Sequence, residues 1–302
     1  MKKPDLRVRI GNYEFSNPCL VASGTYGWGE NFPSVISKVG GFITKGLTLS
    51  PREGNPPPRI WEVKGGIVNS IGLENPGAIY FVNNILPNLK KLPTRIIANL
   101  AGSSVEEFET LVKILDLPEI YGFELNLSCP NVKEGGILFS LSPKSAQRVI
   151  RATRRLTKKL LIAKLSPCLT DLLALAHLCA EEGVDALTLI NSLPALVISS
   201  ETFKPCLGGK TGGLSGPFLK PFVLFCIQKV KEVVSIPIIG CGGITNYSDA
   251  LEYLITGASL FQVGSQNLLN PFTPLEIIEG IKRYLKEKEI WAVEDLINKL
   301  EV

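Results

Sequence analysis

Among 302 residues there is one histidine and one methionine. His177 lies in the helical stretch DLLALAHLCAEEG, and with no second histidine neither a Ser-His-Asp triad nor a histidine-rich metal site has support. Any general acid or base must therefore be another residue type. The seven cysteines (19, 129, 168, 179, 206, 226 and 241) are odd in number, form no C-x-x-C and sit mostly in apolar runs. They read as reduced intracellular thiols, with no disulfide frame, zinc site or iron–sulfur cluster. No apolar run reaches the ~18 residues of a membrane span, and the opening MKKPDLRVRI has no apolar stretch behind its lysines. The expectation is a cytoplasmic protein without a membrane partner. Thirty-two Lys and Arg stand against 28 Asp and Glu, a dispersed net charge of +4, which lacks the basic footprint of a nucleic-acid binder.

What is present is a chain 45% apolar and long enough for one large core, expected to form a single domain over residues 1–302. Short runs rich in Val, Ile, Leu and Ala alternate with segments of helical period, the pattern of βα units around a parallel sheet. Eight strands are expected, at Pro18–Ala22, Gly41–Thr44, Arg95–Ala98, Gly122–Leu125, Leu160–Ala163, Ala186–Leu189, Ile236–Ile239 and Leu260–Val263. Helices are expected at Asn31–Val39, Val105–Leu115, Lys144–Leu156, Asp171–Glu182, Pro217–Val234, Asn246–Ile255 and from Pro274 onward. Eight such units fit an α/β (β/α)8 TIM barrel better than an open Rossmann sheet, and no G-x-G-x-x-G follows the first run.

Barrel strands present their chemistry at their C-terminal ends. Here the runs end in Ser23-Gly24, Lys45-Gly46, Asn99, Asn126 with Cys129, Lys164, Asn191-Ser192, Gly240 to Gly243 and Gly264-Ser265. One such end is simply where a turn belongs; eight together, two of them lysines, describe a convergent site for an anionic ligand. Two segments are longer than a barrel needs. Leu47–Thr94 is expected to form a small antiparallel hairpin and a helix from Pro76 to Leu86 folded over the mouth, and Leu193–Gly216 makes a second excursion on the same face.

GCGGI (240–244) and VGS (263–265) follow the seventh and eighth runs, where barrels commonly bind phosphate, and Ser215-Gly216 precedes a helix at Pro217. Tight turning alone would also account for these glycines. ELNLSCPN (124–131) places Cys129 on a glycine-containing loop at the catalytic face, a position for a reactive thiol, whereas the other six cysteines read as packing residues.

Taken with NSIGLENPG (69–77), AKLSP (163–167), LINS (189–192) and GGLSGP (212–217), these strings make the sequence resemble the dihydroorotate dehydrogenases from about Asn17 to Pro271. Those enzymes are FMN-dependent (β/α)8 barrels of pyrimidine biosynthesis. GNPPPR (54–59) and the CPNVKEGG form of the cysteine loop resemble class 1B, whose catalytic chain pairs with a subunit carrying FAD and [2Fe–2S] that passes electrons to NAD. Class 2 enzymes have serine at the cysteine position. The resemblance implies a homodimer within a heterotetramer, with dihydroorotate and orotate as substrate and product.

It also implies roles. A hydride would pass from C6 of dihydroorotate to FMN N5 and a C5 proton to Cys129 as base. Lys45, Asn69, Asn126 and Asn191, with Ser70, Ser192 and the backbone of Ile71, Gly72 and Leu73, would bind the substrate. Lys164 would face the flavin N1/C2 edge, where positive charge stabilises the anionic reduced ring. Asn99 and Asn126 would contact the isoalloxazine, Ser23 and Ile190 its flanks, and Gly216, Gly242, Gly243, Gly264 and Ser265 its phosphate end, with Lys45 and Gly46 also binding the cofactor. The sequence departs from the family at Cys168, where asparagine is usual, at the residue after VGS, and at Ser192, where threonine is commoner. The alternatives are a fumarate-reducing class 1A homodimer, a dihydropyrimidine reductase and a non-catalytic phosphate-binding barrel.

Overall fold

A computed structural model describes residues 3–127, 143–166 and 171–301. Eight parallel strands close into a barrel in chain order: β1 (Cys19–Val21), β2 (Gly41–Ile43), β3 (Arg95–Leu100), β4 (Ile120–Asn126), β5 (Leu160–Leu165), β6 (Ala186–Leu189), β7 (Ile238–Cys241) and β8 (Leu260–Val263). The chain is thus a (β/α)8 TIM barrel, as the alternation of runs requires. Strands buried on both faces read as continuous apolar runs because helices cover the outside and side chains fill the inside. A single hydrophobic cluster extends from Leu6 to Leu296.

The boundaries differ from the sequence expectation in informative ways. Asn99, Asn126 and Lys164 belong to the strands and do not merely follow them, since β3 runs on to Leu100, β4 to Asn126 and β5 to Leu165. Strand β7 starts two residues later than expected because Pro237 has no N–H to give the ladder, although its carbonyl accepts from Leu187 N at 3.1 Å. The first helix shrinks to Pro33–Ile36. Others start on side-chain caps: Ser104, Asp171 and Asn246 each accept a hydrogen bond from a backbone N–H three residues on. The helix expected at Pro76–Leu86 is Ala78–Tyr80 continued by a π turn over Phe81–Ile85 and a last turn at Leu86–Leu89. Pro87, unable to donate, interrupts the α ladder there.

At the N-terminal end of the barrel the hairpin Val8–Ile10 and Tyr13–Phe15 forms a floor. Tyr13 Oη donates to Lys158 O at 2.6 Å, Tyr121 Oη donates to Glu14 O at 2.9 Å, and Phe15 is fully buried. At the opposite end the expected hairpin forms from Ile60–Val63 and Gly66–Asn69. It does not stand alone. The second excursion contributes Leu193–Leu196 and Thr211–Ser215, giving one four-stranded antiparallel sheet over the mouth. Two insertions more than a hundred residues apart therefore act as one cover. Among the described residues, no helix is long and apolar enough to cross a membrane.

Candidate active site

Between the C-terminal ends of the barrel strands and the covering sheet lies a cavity of about 630 Å³. One side is built from side chains at the ends of consecutive strands: Lys45 and Gly46 after β2, Asn99 on β3, Asn126 on β4, Lys164 on β5, and Ile190, Asn191 and Ser192 after β6. The other side is mostly backbone, from Ser23 after β1, Gly242 and Gly243 after β7, and Gly264 and Ser265 after β8, with Gly216 beside them. Asn69, Ile71, Gly72 and Leu73 come down from the cover.

Ser70 is the one described candidate that does not line this cavity. It is fully buried behind the sheet, where its hydroxyl donates to Thr211 O at 2.7 Å and accepts from Asn55 Nδ2 at 2.9 Å. Its neighbours in an extended segment face the opposite way, so a run of candidates cannot all reach one ligand. The structure thus corrects Ser70 from substrate contact to fastener of the cover. Cys129 and Cys168 lie outside the described residues. Of the remaining cysteines, Cys19, Cys179, Cys226 and Cys241 are buried and Cys206 is half-buried. Burial pushes the thiols of Cys179 and Cys226 up to about 12 and about 11, so neither is a thiolate near neutrality. Cys241 lines the cavity, where burial raises its thiol even though the Lys164 charge opposes the shift.

The glycine side is shaped by close approach. A Cβ on Gly243, whose φ is +73°, would come within 2.6 Å of Lys220 N, so only glycine fits between the β7 turn and the start of the preceding helix, Lys220–Lys231. Gly240 has a different reason to be glycine: its Cβ would fall 2.0 Å from Tyr253 Cδ1. Tyr253 in turn donates its hydroxyl hydrogen to Gly242 O. Asp249 accepts from Thr245 N at 2.8 Å, from Thr245 Oγ1 at 2.6 Å and from Lys220 Nζ at 2.7 Å, tying the end of the glycine turn to the helix behind it. Burial alone would raise the Asp249 carboxyl, but the hydrogen bonds from Lys220 and Thr245 outweigh it and hold it below the usual carboxylate value. Burial would likewise lower Lys220, yet its bonds to Asp249 and Glu252 leave it above the usual lysine value.

On the side-chain half, Asn126 Oδ1 is buried with no hydrogen-bond partner, while its Nδ2 lies 3.5 Å from Asn99 Oδ1. An orphaned buried acceptor calls for a donor from the cavity. Lys45 Nζ is 2.5 Å from Glu74 Oε2, and Arg59 Nη1 is 4.0 Å from the same oxygen. Arg59 and Glu74 line the cavity, and the sequence reading assigned neither a role. It also missed Glu124, Thr188 and Gln262, polar residues inside strands β4, β6 and β8 that are fully buried. A charged residue within an otherwise apolar strand was the available signal, because a carboxylate is almost never fully buried unless paired.

Fold and cavity together define a barrel whose one mouth carries a glycine-rich wall facing a row of amide and ammonium side chains. That is the layout of a cofactor-dependent barrel enzyme. The profile of the dihydroorotate dehydrogenase family matches residues 5–285, and the chain belongs to that family. It is similar to the dihydroorotate dehydrogenase B (NAD(+)) catalytic subunit of Pelobacter propionicus, 46% identical with 99% of both chains covered. The same-named protein of Bacteroides thetaiotaomicron is 43% identical, again over 99% of each. Among solved structures, dihydroorotate dehydrogenase from Eimeria tenella in complex with ferulenol superimposes with a TM-score of 0.82 at 23% identity, covering 99% of this chain and 89% of that one. At that identity the likeness speaks for the fold.

Proposed function

We propose that the chain is the catalytic subunit of an NAD-linked dihydroorotate dehydrogenase, oxidising dihydroorotate to orotate in the cytoplasm as part of pyrimidine biosynthesis, and that residues 1–302 form one FMN-binding domain. The observation that carries the reading is the two-sided cavity: a glycine cradle suited to a phosphate at one end, and Lys45, Asn99, Asn126 and Lys164 gathered at the other. FMN fits this chemistry. Its phosphate suits backbone N–H groups at Gly242, Gly243 and Gly264, residues that line the cavity and carry no side chain of their own, and its ring nitrogen N–H suits the orphaned Asn126 Oδ1. When bound, FMN supplies the acceptor for the hydride leaving the substrate.

The chain's own residues then divide the work. Lys45, held at the cavity edge, supplies a cation for the substrate carboxylate, and Asn69 and Asn191 supply amide groups for a planar ring with alternating donors and acceptors. Ser192 and the Ile71–Leu73 backbone complete the substrate end. Lys164, almost fully buried, places positive charge at the cofactor face. Ser23, Gly46, Ile190, Gly216 and Ser265 complete the cofactor end. Cys129 takes the C5 proton; a thiol titrating near ~8.5 needs only modest help to act near neutrality. The covering sheet excludes water from the mouth.

Electrons leave through a second chain. The phrase "catalytic subunit" in the names of the relatives implies another subunit, and we assign it FAD and a [2Fe–2S] cluster, in a heterotetramer around a homodimer of this chain. The experiment is anaerobic mixing of the FMN-loaded chain with dihydroorotate. Bleaching of the flavin by dihydroorotate but not dihydrouracil, with dye reduction by the chain alone and NAD reduction only after the iron–sulfur flavoprotein is added, supports the reading. Bleaching by dihydrouracil overturns the substrate, colourless protein that takes up no FMN overturns the cofactor, and rapid fumarate reduction by the chain alone overturns the partner.

A further inference from the structure

Beneath the cavity floor a carboxylate sits in the middle of the barrel. Glu124 on β4 is fully buried and bonded from three other strands: Oε1 accepts from Asn99 Nδ2 at 2.8 Å, and Oε2 accepts from Thr188 Oγ1 at 2.9 Å and Gln262 Nε2 at 2.7 Å. Lys164 Nζ on β5 stands 3.9 Å from Oε1 and 3.5 Å from Gln262 Oε1. A buried carboxylate is costly unless paired and saturated with donors, and replacing such a cluster with apolar side chains is often neutral or stabilising. Stability alone therefore gives the barrel little reason for it.

Its position gives a better one. Two of the groups bonded or paired to Glu124, Asn99 and Lys164, line the cavity, whereas Glu124 itself does not. A ligand on that floor meets the field of a cation backed by an anion, not of a cation alone. Resting on the FMN reading above, we infer that Glu124 is a positioning residue that fixes Asn99 and Lys164 and attenuates the charge Lys164 presents, so that bound flavin is harder to reduce than the lysine alone would make it. Thr188 sets the degree of attenuation. Its hydroxyl donates to the carboxylate and draws off part of the charge, so losing it strengthens the anion's hold on the lysine and its field at the flavin.

The two residues thus give opposite signs, which a merely structural cluster does not. The readout is the equilibrium between FMN bound to the purified chain and a reference dye, followed by absorbance at fixed pH without substrate. Glu124→Gln should raise the reduced-to-oxidised FMN ratio on the order of tenfold, about 30 mV for a two-electron couple. Thr188→Val should lower it by roughly two- to threefold, as expected for one hydrogen bond of ordinary strength. If Glu124→Gln fails to fold, Thr188→Val alone decides: a ratio unchanged or raised overturns the inference. FMN-loaded variants that both match the wild-type ratio overturn it while leaving the FMN reading intact. A wild-type chain that binds no FMN removes both.

Discussion

The two sides of the barrel mouth are built on different principles. The side formed by β1, β7 and β8 offers backbone, shaped by glycines and fastened from behind by Tyr253, Asp249 and Lys220. The side formed by β2 to β6 offers side chains, Lys45, Asn99, Asn126, Lys164 and Asn191, one or more from each strand. Backbone N–H groups bind an anion without selecting among the molecules that carry it, whereas amides and ammonium groups at fixed positions select a ring and a charge pattern. Holding and chemistry are therefore separable, and substitutions on the two sides should fail in different ways.

The largest effect belongs to the side-chain half. Cys129→Ala, removing the proposed base, should slow flavin reduction by dihydroorotate roughly 10²-fold or more while the protein stays yellow. Cys129→Ser should fall between, recovering as pH rises. Stopped-flow rates equal to wild type in the alanine variant would discard the base. On the glycine half the pattern inverts. Gly243→Ala puts a Cβ at positive φ and against Lys220 N. Strain of about 1–3 kcal/mol predicts FMN binding weakened by roughly 5- to 150-fold. Turnover at saturating FMN should survive. Unchanged retention of FMN on gel filtration would mean that the cradle lies elsewhere.

Asp249 tests the fastening behind the cradle. Its folded-state carboxyl lies below the usual value, so the stability it contributes is fully present above the unfolded value near pH ~3.9 and is lost as pH falls through the lower folded value. Lys220 has the opposite sign: its contribution is present below the unfolded value near pH ~10.4 and lost as pH rises through the higher folded value. Between those limits Asp249→Asn should lower the melting temperature by a few degrees, consistent with about 1–2 kcal/mol, and loosen FMN. The gap to wild type should close on acidification below pH ~4. A gap that widens there would show that the carboxylate is not the fastener.

How much of this was legible in the sequence follows the same division. The barrel was readable because doubly covered strands write themselves as apolar runs, and the strand ends because polar residues next to such runs are conspicuous. Two features were hidden. Pairing of Leu193–Leu196 and Thr211–Ser215 with the hairpin at 60–69 is a long-range event, and the glycines of GGKTGGLSG obscure the period-2 signal a strand needs. Glu124 could be singled out as a charge inside an apolar run, but its grouping with Thr188 and Gln262 was hidden, because only barrel closure brings the three strands together. Ser70 was misread for the opposite reason: a contiguous motif was taken as a contiguous contact, although alternate residues face opposite ways.

The smallest effect concerns the cover, where the two sides meet. Lys45 Nζ lies 2.5 Å from Glu74 Oε2, and their side chains are 18% and 45% exposed. Such a partly wet pair is worth only about 0.2–1 kcal/mol, so it cannot hold the cover shut by itself. What it can do is compete. On the proposed assignment of Lys45 to the substrate carboxylate, Glu74 competes for the same ammonium, and Arg59 at 4.0 Å gives Glu74 a second cationic partner. Glu74→Gln should therefore lower KM for dihydroorotate, by roughly two- to fivefold if the pair's full strength is released. The gain should shrink as salt screens both interactions. A KM that rises would instead make Glu74 a latch, whose loss opens the cover faster than it frees the lysine.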